Sequence, residues 1–105
     1  MDIADWRKKI DDLDRKLVEL INQRAVCAVE IGKLKQHSAM PVYEPDRERI
    51  IFDNIAKMNH GPLSQIQLRQ VYERLIDVMR QVQTVEMEPA AKEAEHNGTK
   101  VEPRD

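Results

Sequence analysis

An all-α domain of three helices, one long and N-terminal and two shorter, is what this sequence predicts, and three observations carry the prediction. Ile3, Trp6, Ile10, Leu13, Leu17, Leu20, Arg24, Cys27, Ile31 and Leu34, apolar at every position but Arg24, recur in steps of three and four, the spacing of one helical face. Pro41, Pro45, Gly61 and Pro62 fall where a helix cannot continue and cut the chain into three stretches. Each stretch also opens on a recognisable start signal.

The first helix is expected from about residue 3 to residue 37. Asp2 and Asp5 supply a cap and a first-turn carboxylate, and at 1.5 Å per residue the rod is roughly 50 Å long. Two shorter helices of the same chain cannot cover such a length, so it needs a partner. Residues 38–45 form a short connection punctuated by Ser38, Pro41 and Pro45, with Met40 and Val42 able to tuck inwards. Helix two has Pro45 at or near its first position, with Asp46 and Glu48 in the favourable first turn. Its apolar residues are Ile50, Ile51, Phe52, Ile55 and Met58, and it stops at Asn59-His60-Gly61-Pro62. Helix three opens with Ser64-Gln65-Ile66-Gln67, a capping box of the Ser-x-x-Gln kind. It carries Leu68, Val71, Tyr72, Leu75, Ile76, Met79 and Val82 on its stripe. From residue 88 to residue 105 the chain holds two prolines, many charges and one valine, the composition of a disordered tail. The division is therefore a helical domain over 1–87 and a charged tail over 88–105.

Composition narrows the function. A chain of 105 residues is one domain, and so small a helical core is expected to be completed by oligomerisation. A net charge of −2 offers no basic field for nucleic acid or for an anionic membrane. The single cysteine, Cys27, excludes a disulfide framework, and its place in the helical stripe suggests a buried reduced thiol. The N-terminus lacks a secretory pattern and no stretch approaches membrane-spanning length, so a cytoplasmic protein is expected. Glycine-rich phosphate loops, Cys/His metal spacings and a Ser/His/Asp order are missing from the sequence, which leaves covalent or metal catalysis little support.

The chemistry concentrates between Arg24 and Arg49. Arg24 stands on the apolar stripe where an aliphatic residue is called for. Lys35 follows 11 residues later, about three turns plus roughly 20°, so both cations point the same way. Glu44, Arg47 and Glu48 crowd the start of helix two, with Arg47 and Glu48 in line with its inward face. Together these suggest a pocket for a small anion. Blander readings stand beside this one. Arg24 could set register or pair with a neighbouring glutamate, Lys35 could be a solvated residue complementing the helix dipole, and the acidic-basic cluster could be simple helix-start ion pairs. Gln83, one turn after Met79, reads as a satisfied hydrogen bond between helices.

The segments W-R-K-K-I-D-D-L-D-R-K-L-V-E-L-I-N-Q-R, V-E-I-G-K-L-K and P-V-Y-E-P-D-R-E-R closely resemble the all-helical (AroQ) class of chorismate mutase, over about Trp6 to Gln83. The resemblance implies three helices in an intertwined homodimer with active sites shared between subunits. It also implies conversion of chorismate to prephenate, with no cofactor. Residue by residue, it implies carboxylate binding by Arg24 and by Arg7 of the other subunit. Lys35 and Gln83 are implied as donors to the ether oxygen, Arg47 as an active-site arginine and Glu48 as acceptor for the substrate hydroxyl. Glu44 stands where the best-known relatives carry aspartate, and Met79 where many carry a serine contacting a carboxylate. Isochorismate-pyruvate lyase, which shares the fold, and a non-catalytic helical dimerisation module are the alternatives.

Overall fold

A computed structural model describes the chain over residues 1–87, with side chains described as far as Thr84. It contains α1 (Ile3–Ser38), α2 (Pro45–Met58) and α3 (Gln65–Met87). The proposed tail, 88–105, lies outside the described residues.

Local chemistry explains the boundaries. Asp2 accepts from the Asp5 amide at 3.0 Å while Asp5 accepts from the Asp2 amide at 3.0 Å, a reciprocal box that satisfies two donors at the open end of α1. α1 ends at Ala39, which takes a left-handed conformation at φ 57°, and Met40 then donates to the Lys35 carbonyl at 2.9 Å. Pro45 opens α2 at a position where a missing amide costs nothing. Ser64 and Gln67 form the expected capping box of α3, at 3.0 and 3.1 Å. Gly61 lies at φ 76° in the connection, a conformation that favours glycine.

α3 packs against both α1 and α2. The buried apolar residues are few: Ala28, Ile55, Ile76 and Met79. α1 meets α3 only through its C-terminal half, where Gly32 lies so close that an added Cβ would stand 3.0 Å from the Gln83 carbonyl oxygen. Residues 3–23 are exposed throughout, and Trp6, Ile10, Leu13, Leu17 and Leu20 each keep more than half their surface open. The stripe is thus present on α1 but uncovered by the other described residues.

Three expectations are corrected here. Cys27 is exposed rather than buried, because the part of the stripe it belongs to is not covered by α3. Met40 is exposed as well, while Val42 is half-buried. Arg24, placed by periodicity on a buried stripe, is only half-buried. Among the described residues no helix is long and apolar enough to cross a membrane.

Candidate active site

The three helices enclose one side of a cavity of about 440 Å³. α1 contributes Arg24 and Lys35, the connection Val42 and Glu44, α2 Arg47 and Glu48, and α3 Met79, Arg80 and Gln83. Ile31, Ile51 and Ile76 supply apolar wall between them. The cations predicted to share a face on α1 do so.

Lys35 is the most deeply placed charge among the described residues, 5% exposed, so the solvated-lysine reading does not hold. Its Nζ pairs with Glu44 Oε1 at 2.7 Å and donates to the Val42 carbonyl at 3.1 Å. An ammonium carries three donors, and among the described residues Val42 and Glu44 engage at most two of them. Glu44 caps no amide of α2 although it occupies the N-cap, and its carboxylate serves Lys35 instead.

A second ion pair crosses from α2 to α3. Arg80 Nε donates to Glu48 Oε2 at 2.7 Å and Arg80 Nη2 to Asp77 Oδ1 at 2.8 Å, with the guanidinium carbon 5.4 Å from the Tyr43 ring centre. The Glu48 hydrogen bond, before any other influence, holds the Arg80 guanidinium above its ordinary pKa. Sequence reasoning missed Arg80. Its signal was available, since it lies three residues before Gln83 and so shares a face with it.

Gln83 corrects a further expectation. Its Oε1 is buried and has no hydrogen-bond partner among the described residues, so it is not a satisfied link between helices. A buried acceptor left unpaired costs roughly 1–3 kcal/mol, which only a donor can offset; towards an acceptor on a ligand the same side chain offers its Nε2–H. Met79 is buried, 4% exposed, and gives this wall an apolar surface.

The charges then decide what the cavity can hold. Arg24, Lys35, Arg47 and Arg80 face Glu44 and Glu48. Both carboxylates are committed, to Lys35 and Arg80, while Arg24 and Arg47 have no ion-pair partner among the described residues. Two positive charges remain uncompensated. Arg7 is the one predicted site residue that does not join the others: it is exposed on the uncovered half of α1, 28 residues from Lys35 and so about 42 Å along the helix.

Fold and charge together define a helical cavity with an excess of positive charge, lined also by the thiol of Cys27. Residues 6–84 match the family model described as chorismate mutase type II, and the chain belongs to that family. It is 34% identical over 79 residues to a bifunctional chorismate mutase/prephenate dehydratase of Aquifex aeolicus, covering 71% of this chain and 22% of that protein. It is 38% identical over 56 residues to a chorismate mutase of Methanocaldococcus jannaschii, covering 53% of this chain and 57% of that protein. A bifunctional protein of the same description from Pseudomonas aeruginosa is 33% identical over 75 residues, 67% of this chain and 20% of its own length. The chain therefore spans between about a fifth and somewhat over half of these relatives.

Proposed function

We propose that this chain catalyses the rearrangement of chorismate to prephenate, in sites that two copies of it share. The observation that carries the reading is the charge left over at the cavity. Arg24 and Arg47 have no ion-pair partner among the described residues, and two carboxylates on one small substrate would supply one for each.

The residues suit a pericyclic reaction. Such a step breaks the ether C–O bond as a C–C bond forms, and it needs neither nucleophile nor general base. It needs the dicarboxylate held in its compact, reactive conformation, and planar guanidinium forks fixed on helices can do that. Negative charge grows on the ether oxygen as the C–O bond opens. The free donor of Lys35 and the amide of Gln83, directed at that atom, favour the transition state over the ground state. Glu48 is assigned to the substrate hydroxyl as acceptor.

The uncovered stripe of α1 supports a homodimer. Covering a single Leu or Ile side chain completely is worth roughly 1.5–3 kcal/mol, and several such side chains stand open on residues 3–23. Two copies of α1 running antiparallel would cover one another and bring Arg7 of each to the Arg24–Lys35 half of the other. That arrangement answers the 42 Å problem, which no rearrangement within one rigid helix can.

The test is direct assay of purified protein with chorismate and, separately, with isochorismate. Prephenate from the first and no pyruvate from the second supports the reading. Pyruvate from isochorismate alone would make the chain a lyase. With neither product and no stabilisation by either substrate, the helical dimerisation module would stand instead.

A further inference from the structure

We propose that Arg80 is a positioning residue, holding the Glu48 carboxylate from α3 so that its second oxygen stays open to accept from the substrate. This rests on the mutase reading above and adds to it a residue that reading does not use.

Arg80 reaches Glu48 across 32 residues of sequence, at 2.7 Å. A hydrogen bond between two ionised groups at that distance is among the stronger ones available to side chains. Arg80 is itself held from two other sides, by Asp77 at 2.8 Å and by the face of Tyr43. A fork fixed by Asp77 and Tyr43 in this way sets the rotamer of whatever it binds. Glu48 uses Oε2 for Arg80 and has no hydrogen bond to Oε1 among the described residues, so one acceptor oxygen is left for a ligand.

Charge separates Arg80 from the substrate-neutralising cations. Two carboxylates, Glu48 and Asp77, already pair with it, whereas Arg24 and Arg47 have no ion-pair partner among the described residues. Glu48 shares the cavity with both of those arginines. Released from Arg80, it is drawn towards them and cancels charge meant for the dicarboxylate. Arg80 therefore protects the anion site as well as orienting the acceptor.

A double-mutant cycle tests this, with kcat and KM for chorismate measured per folded molecule in Arg80→Met, Glu48→Gln and the combined variant. Arg80→Met is expected to lower kcat/KM between about 10- and 100-fold, the scale of a misplaced catalytic group. In the Glu48→Gln background the same substitution is expected to add less than about 2-fold, because residues acting as a unit are not additive. Arg80→Lys, which keeps the charge, is expected to recover part of the loss, and it carries the cycle if Arg80→Met does not fold. An equal loss in both backgrounds would show that Arg80 acts without Glu48 and would overturn the proposal, as would full activity in Arg80→Met. Wild-type protein that turns over no chorismate would overturn the mutase reading and this assignment with it. An active wild type with an additive cycle would overturn the assignment alone.

Discussion

Gly32→Ala sets a gain in helix propensity against a collision with the helix that carries Gln83. Alanine in a helix interior is about 1 kcal/mol better than glycine. The new Cβ, however, would meet the Gln83 carbonyl oxygen at 3.0 Å and its Cα at 3.1 Å. Both are backbone atoms, so α3 must give by a few tenths of an ångström. Overfilling a packed contact costs roughly 1–3 kcal/mol, and set against the propensity gain the net loss falls between nothing and about 2 kcal/mol. For a domain of this size that lowers the melting temperature by no more than roughly 15 °C. The fold survives, but Gln83 moves with its helix. A donor aimed at one atom of the substrate tolerates little displacement, and a fall of about 10- to 100-fold in kcat is expected. Thermal unfolding by circular dichroism, read beside chorismate consumption at a temperature where the variant is folded, separates the two effects. Unchanged kcat together with a raised melting temperature would refute the reasoning, since it would mean that α1 and α3 are not pressed together at this point.

Lys35→Met should lower turnover by roughly 100- to 1000-fold, the usual cost of losing one preorganised donor. It should leave helicity intact, because the abandoned Glu44 side chain is 37% exposed and water can solvate it; near wild-type kcat would contradict its role. Dimers mixed from Arg7→Ala and Lys35→Ala chains should regain one complete site although each parent is inactive, and no recovery after refolding them together would count against shared sites. At the start of α1, the hydrogen bond from the Asp5 amide holds the Asp2 carboxyl below its ordinary value of 3.8. A depressed pKa stabilises the folded turn above the unfolded value and is lost as pH falls through the folded one. Protection of the first-turn amides, taken relative to their intrinsic exchange rate at each pH, should therefore fall under acid in the wild type and less so in Asp2→Asn; an equal fall in both would remove Asp2 from the explanation.

The three helices, their caps and their approximate limits were legible in the sequence, because each depends on residues within a turn or two of one another. Asp2 with Asp5, Pro45 at the start of α2 and Ser64 with Gln67 are interactions over three residues or fewer. The common face of Arg24 and Lys35 was legible for the same reason, since a continuous helix converts spacing directly into direction. The family resemblance added Arg7 and Met79 to the candidates and a ligand role to Gln83, but not what each one touches.

Only the tertiary structure decided which charges are spent and which are free. Lys35 is tied to Glu44 and to a backbone carbonyl, Glu48 is tied to Arg80, and among the described residues Arg24 and Arg47 are left over. These pairings join α1 to the connection before α2, and α2 to α3, so they depend on how the elements pack and not on any local pattern. Gln83 shows the same division. Its position on α3 follows from helical spacing, whereas its unpartnered oxygen and its contact with Gly32 arise from the closeness of two helices 51 residues apart in sequence. Periodicity marked the stripe of α1, but only the packing revealed that residues 3–23 find no cover among the described residues. A sequence encodes which side of a helix is apolar; what lies against that side is decided by contacts between distant segments.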